Sequence, residues 1–144
     1  MDTSTSWIAD TNYWAKTFNE TTLTAPSGVS ILCLSCHDGV IAVDAYGSNA
    51  GSTFIPSANS TYLGTDMRDD HPISVTYPAG DLATSRFVVA PTGVKVDFGG
   101  VKRVECASCH DPHNANVATA GLGIGKFLRV KKENSDICLA CHIK

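Results

Sequence analysis

The sequence predicts a mostly irregular chain with a few short helices and one small β-hairpin. Three observations lead there. All six cysteines fall in three copies of one pattern: Cys33-Leu34-Ser35-Cys36-His37, Cys106-Ala107-Ser108-Cys109-His110 and Cys138-Leu139-Ala140-Cys141-His142. Shared among three such motifs, 144 residues leave about 48 apiece, too few to build an ordinary apolar core around each. No long amphipathic periodicity runs through the chain, so long helices are not expected.

The motif has a chemical reason. Two cysteines three apart on a helical turn point the same way. Each can form a thioether to one vinyl group of a single haem, and the histidine that follows is carried beneath the porphyrin as proximal ligand. Disulfides in an exported protein, paired zinc ligands and a thioredoxin-type dithiol are the competing uses of such cysteines. None of them requires a histidine directly after all three pairs. The cofactors expected are three haem c groups, attached at Cys33 and Cys36, Cys106 and Cys109, and Cys138 and Cys141, with His37, His110 and His142 as proximal iron ligands. The haems then make up much of the core.

One motif carries more. His113 lies three residues past His110 on a short Asp111-Pro112 link. So short a tether cannot pass around the porphyrin edge to the far face of the haem at Cys106 and Cys109. If His113 binds iron, it binds that of a different haem, which places two haems close together.

Taken in order, residues 1–30 form a Ser/Thr/Asn-rich arm with Trp7, Tyr13, Trp14 and Phe18 as packing anchors, closed by a turn at Pro26-Ser27-Gly28. Ser30 to His37 is a short helix bearing the first motif. Residues 38–66 read as loop, with one short apolar segment from Val40 to Tyr46. His71 stands before Pro72, which biases it to extended backbone and suits a ligand reaching in from a loop. Phe87-Val88-Val89 and Val94 to Phe98, turning at Ala90-Pro91-Thr92-Gly93, form the hairpin candidate. Val101 to Glu105 is a short strand leading into the second motif. Residues 114–125 are small and glycine-rich, and Lys126 to Val130 is a short extended or turn segment. Asn134-Ser135-Asp136 is a helix start, and the last helix carries the third motif. The second and third motifs begin only 32 residues apart, which suits a tight two-haem unit. The expected organisation is one tri-haem domain over 1–144: an aromatic arm (1–30), a first-haem region (31–105) and a two-haem unit (106–144).

Axial ligands can be counted. There are five histidines. Three are proximal by motif, which leaves His71 and His113 as distal ligands for three irons. A homopolymer can lend histidines between subunits but cannot raise the number per subunit. One haem therefore has a non-histidine sixth ligand, water or none, unless another protein supplies it. Candidates for that position are Met67 or Met1 through sulfur and Lys16 through a deprotonated amine. For Met67 an apolar packing role competes, and for Lys16 a solvated one.

Composition narrows the rest. Net charge is −3 and 17% of residues are charged, with no basic run or stripe of the kind that binds nucleic acid. No apolar stretch has the length of a transmembrane helix. Residues 1–6 lack a signal-peptide pattern, so the sequence is expected to be a mature form with its leader removed. Asn19-Glu20-Thr21 and Asn59-Ser60-Thr61 match the glycosylation acceptor pattern, which also arises often by chance.

Cys33-Leu-Ser-Cys-His-Asp-Gly39, Leu63-Gly-Thr-Asp66, Asp70-His-Pro-Ile-Ser74, Cys106 to His113, Phe127-Leu-Arg129 and Cys138 to His142 together resemble the exported multihaem c-type cytochromes of the doubled CxxCH class. The resemblance spans roughly residues 26–144. It implies a haem-packed multihaem cytochrome c architecture, with His71 and His113 as distal ligands. Some members of this class polymerise into extracellular filaments. Two departures stand out. A further N-terminal motif common among relatives is missing. Where relatives often carry a tryptophan followed two residues later by a ligand-like histidine, this chain reads Trp14-Ala15-Lys16; Met67 falls where relatives usually have leucine.

The expected function is electron transfer through closely stacked haems, as the repeating subunit of an extracellular or cell-surface conducting filament. Its partners would be identical subunits and redox proteins or extracellular acceptors, not nucleic acid. A soluble periplasmic electron carrier is the alternative within the class. Outside it stands a reductase of small oxidants working at a haem with an open sixth position; no acid–base pair beside a motif marks such a pocket, and the chain is expected not to be an enzyme.

Overall fold

The computed structural model describes residues 17–18, 21–22, 26–65, 67, 70–77, 86–113 and 127–143. Met1, Trp7, Tyr13, Trp14, Lys16, Asp66, Asp69, Lys126 and the glycine-rich segment 114–125 lie outside them. The described chain is mostly irregular, with short helices and two two-stranded antiparallel sheets, as its composition predicts. It divides into two compact units, Met1–Pro72 and Ile73–Lys144.

The first unit opens with β1 (Thr17–Phe18) and β2 (Thr21–Thr22), paired Thr17 to Thr22 and Phe18 to Thr21. This pair lies in the stretch expected to be a plain arm. Helix α1 (Ser30–His37) follows, on the residues expected. Ser30 and Leu34, four apart and so on one face, are 0% and 1% exposed. The helix ends on Gly39 at φ +75°, where the Gly39 amide donates to the Cys36 carbonyl at 3.2 Å and the Asp38 amide to that of Leu34 at 3.0 Å. A residue in this left-handed conformation satisfies the last carbonyls and stops the helix.

Val40 to Tyr46 forms no strand. A carboxylate organises this loop instead. Asp44 Oδ1 accepts the amides of Ser52 and Thr53, both at 2.9 Å, and Oδ2 accepts the Thr53 hydroxyl at 3.2 Å. The Thr53 amide above all holds the Asp44 carboxyl below the usual range; desolvation opposes it, and the Ser52 amide adds to the lowering. Among the described residues of this unit, Leu34, Ala42 and Met67 are buried apolar side chains.

In the second unit β3 (Val75–Thr76) pairs with β4 (Arg103–Val104), Val75 opposite Val104 and Thr76 opposite Arg103. Ile73, Val75 and Tyr77, spaced two apart, are 6%, 6% and 3% exposed, and Ser74 between the first two is buried as well. The chain reaches β4 through a tight turn: Asp97 bridges Lys102, the Phe98 amide donates to the Val101 carbonyl at 3.0 Å, and Gly99 and Gly100 both have positive φ. Two consecutive positive φ values are what a two-residue hairpin loop needs. The hairpin expected at 87–98 is therefore displaced. Residues 94–98 do turn back, but at Gly99-Gly100, and 86–88 pair elsewhere.

Helix α2 (Cys106–Cys109) follows β4 directly. A 3₁₀ turn (Glu133–Ser135) leads into α3 (Asp136–Leu139). The start at Asp136 agrees with the expectation, but Ser135 precedes it in a left-handed conformation and makes no side-chain cap.

Gly39 is the tightest point of the first unit, since a Cβ there would run into the Tyr62 ring. Gly39→Ala adds that clash to a strained φ and is expected to cost about 1–3 kcal/mol of stability, read as a lower midpoint in denaturant unfolding.

Candidate functional site

A short helix is marginal by itself, and α2 and α3 are single turns. Each CxxCH turn is instead braced at its histidine by a distant segment. At His37, the Leu63 amide donates to the histidine carbonyl at 2.8 Å, and Nδ1 of the ring lies 2.8 Å from the Thr61 carbonyl. His110 bridges Leu128, with the Asp111 amide donating to Phe127 at 2.7 Å and the Arg129 amide to Cys109 at 2.8 Å. His142 bridges Phe87, with the Val88 amide donating to Cys141 at 2.8 Å and the Ile143 amide to Arg86 at 3.0 Å. The segment read as one arm of a hairpin is the brace of the third motif.

A carbonyl only accepts, so Nδ1 of His37 is the donor, and in the neutral ring the lone pair is then on Nε2. That tautomer offers Nε2 to a metal. His71 is exposed and is arranged alike, with Nδ1 2.9 Å from the carbonyl of Pro72.

The second motif is held from below as well. Glu105, 2% exposed, caps α2: its side chain accepts the Ser108 amide, and its own amide donates to the Ser108 hydroxyl at 2.9 Å. The Ser74 hydroxyl, on a residue held at φ +59°, donates to the same carboxylate at 3.5 Å. A buried carboxylate needs such donors. Arg129 then ties both ends of the motif: its Nε donates to the Ala107 carbonyl at 2.9 Å, and a terminal nitrogen pairs with Asp111 at 3.0 Å. The other oxygen of Asp111 accepts the His113 amide at 3.2 Å. Arg129 thereby fixes the link between His110 and His113, both exposed.

At the third motif Tyr77, Phe87 and His142 form an aromatic run. The Tyr77 and Phe87 rings meet edge to face at 6.2 Å, and Phe87 and His142 lie 4.9 Å apart. The Tyr77 hydroxyl donates to the Val88 carbonyl at 2.6 Å. Burial, with Cys141 alongside, pushes its phenol up to about 12.

None of the six cysteines is in a disulfide. Burial raises the Cys109 thiol, and Cys141, Cys138 and Cys106 lie close enough to add to that. The second and third motifs are thus neighbours. Yet no group of three or more His, Cys, Asp or Glu side chains gathers as a metal site among the described residues, unlike the tetrahedral clusters that hold zinc. Large apolar side chains stand exposed in and beside the motifs: Leu32, Phe127 and Ile143 are 55%, 42% and 48% exposed. Separate cysteine pairs, a histidine tautomer suited to iron and apolar surface at each motif fit a covalently held macrocycle.

Of the other sequence candidates, Met67 is 4% exposed, while Lys16 and Met1 lie outside the described residues. Several cations are engaged within the chain. Arg129 is one; Lys131 pairs with Asp136 at 3.2 Å, and Lys95 lies 5.0 Å over the Phe98 ring. The sequence reading missed Thr61, Glu105 and the Tyr77–Phe87 pair. Only Glu105-x-x-Ser108, a capping pair in reversed order, was visible in the sequence.

The family model for the doubled CXXCH motif matches residues 99–144, which hold the second and third motifs. This supports the class of c-type multihaem cytochromes and indicates covalently bound haem c. Neither the curated proteins nor the solved structures contain a match to the chain. No helix among the described residues is long and apolar enough to cross a membrane.

Two predictions follow from these braces. Arg129→Gln removes the charge that ties Asp111 and is expected to cost about 1–2 kcal/mol, seen in denaturant unfolding. The folded-state pKa of Tyr77 is raised, so its contribution to stability is complete below pH 10 and is lost as pH rises through about 12. In a pH titration of tyrosinate absorbance, Tyr77→Phe should remove the latest-titrating component.

Proposed function

We propose that the chain is a single tri-haem electron-transfer domain and the repeating subunit of an extracellular conducting filament. The observation that carries the electron-transfer reading is the common bracing of all three attachment turns at His37, His110 and His142. Rigidly held ligands suit electron transfer, which benefits when iron geometry changes little between oxidation states. Haem c supplies a one-electron ferrous–ferric couple whose potential depends on axial ligand, burial and hydrogen bonding. The chain supplies the rest. Cys33 and Cys36, Cys106 and Cys109, and Cys138 and Cys141 anchor the three groups. His37, His110 and His142 ligate from one side, and His71 and His113 from the other side of two of them. Lys16, Met67 or Met1 stands as candidate for the remaining position.

The nearness of Cys109 to Cys138 and Cys141 supports close stacking of the second and third haems. The filament reading rests on the resemblance of the motif series to filament-forming relatives. It gains from exposed apolar side chains on the first unit, with Tyr46 76% and Phe54 50% exposed, as surface for a neighbouring subunit. A second reading, reduction of a small oxidant at a haem without a histidine sixth ligand, is favoured by one observation: five histidines for six axial positions.

Intact mass of the matured protein tests the haem count, and three haems are expected. His113→Ala should leave the haem at Cys106 and Cys109 attached and turn a different haem high-spin. A high-spin haem at Cys106 would overturn the cross-haem assignment. Negative-stain microscopy should show filaments; dispersed single particles at high concentration would count against them. A high-spin component in the wild-type spectrum that shifts with nitrite would favour the reductase.

A further inference from the structure

We infer that Asn59 is the positioning residue that sets the reduction potential of the first haem, acting through the Thr61 carbonyl on Nδ1 of His37. This rests on the reading of His37 as an iron ligand. Asn59 Oδ1 accepts both the Thr61 amide at 3.0 Å and the Thr61 hydroxyl at 2.9 Å. Its main chain is fixed on both sides. Its amide donates to the Pro56 carbonyl at 2.8 Å, and its carbonyl accepts the Tyr62 amide at 3.0 Å. An asparagine side chain that folds back on the backbone two residues on makes a turn rigid. With its amide and hydroxyl both taken by Asn59, Thr61 has its carbonyl directed at the histidine ring, 2.8 Å from Nδ1.

The strap cannot lift away easily. The Leu63 amide holds the His37 carbonyl at 2.8 Å. The Tyr62 ring is wedged between Gly39 and Gly64, either of which would press a Cβ into it. At His71 the acceptor for Nδ1 is instead the carbonyl of its own neighbour, Pro72. The first site is thus built so that a remote side chain governs the ring's hydrogen bond. A firm Nδ1–H···O bond makes the imidazole a stronger donor through Nε2 and favours ferric over ferrous iron. Loosening it raises the potential.

The test uses the matured full-length chain in wild-type, Asn59→Ala and Asn59→Asp forms; aspartate keeps the Oδ1 acceptor. Haems are counted by mass, three one-electron couples are fitted by spectroelectrochemistry, and exchange of the His37 Nδ1 proton is followed by nuclear magnetic resonance on nitrogen-labelled histidine. Asn59→Ala should keep all haems, speed that exchange and move one couple upward. A tenfold change in its reduction equilibrium corresponds to about 59 mV for one electron. Asn59→Asp should restore both readouts. If Asn59→Ala does not mature, Thr61→Val, which removes only the hydroxyl arm, should move the same couple in the same direction by less. Unchanged couples and exchange in a variant with all its haems would overturn the proposal, as would failure of aspartate to rescue. A wild-type protein with Cys33 and Cys36 unmodified would instead overturn the reading of the first motif.

Discussion

The main-chain hydrogen bond laid across each histidine of the three CxxCH turns is the interaction on which the rest of the structure depends. The turns are too short to hold themselves. Leu63 reaches His37, Leu128 lies beside His110, and Phe87 lies beside His142. Each brace comes from a segment remote in sequence and irregular in conformation. This explains how a chain with so little regular structure positions ligands at all. The bonds that would form a sheet ladder in an ordinary domain are spent singly, at the residues where position matters.

The electrostatics follow the same economy. Glu105 is buried under α2 and satisfied by Ser74 and Ser108. Arg129 spans Ala107 and Asp111 and so joins the helix to the link that carries His113. Charges that might have faced solvent are used to stiffen connections between candidate ligands. Asp38 differs: it is 1% exposed, its Oδ1 accepts the Val40 amide at 2.9 Å, and its Oδ2 has no partner. It directly follows His37, so an uncompensated carboxylate oxygen sits beside the first candidate ligand.

The helices were legible in the sequence because their signals are local. Ser30 to His37 agrees with the structure to the residue, and the last helix begins within the Asn134-Ser135-Asp136 signal. The strand before the second motif was legible for the same reason. The hairpin was misplaced because two turn signals competed. Ala90-Pro91-Thr92-Gly93 reads as a turn, but Gly99-Gly100 supplies two adjacent positive φ values and brings Asp97 opposite Lys102. Residues 86–88 were then free to pair with the third motif. Of the candidate site, the cysteines and histidines of the repeated motif were legible, because their signal is side-chain identity at fixed spacing. Its braces were not, because a main-chain amide or carbonyl looks the same in every residue. Thr61 acts through its carbonyl, and nothing in its side chain announces that.

That anonymity has an evolutionary consequence. Since the Leu63 and Val88 braces use only a main-chain amide, almost any residue can replace these without losing the bond. Proline is the exception, having no amide hydrogen. Such positions are free to drift while the geometry at the histidines stays put. Two homologues could then share the same bracing of their motif histidines with little sequence in common beyond the motifs, and a proline-free pattern at the bracing positions would be the trace that remains.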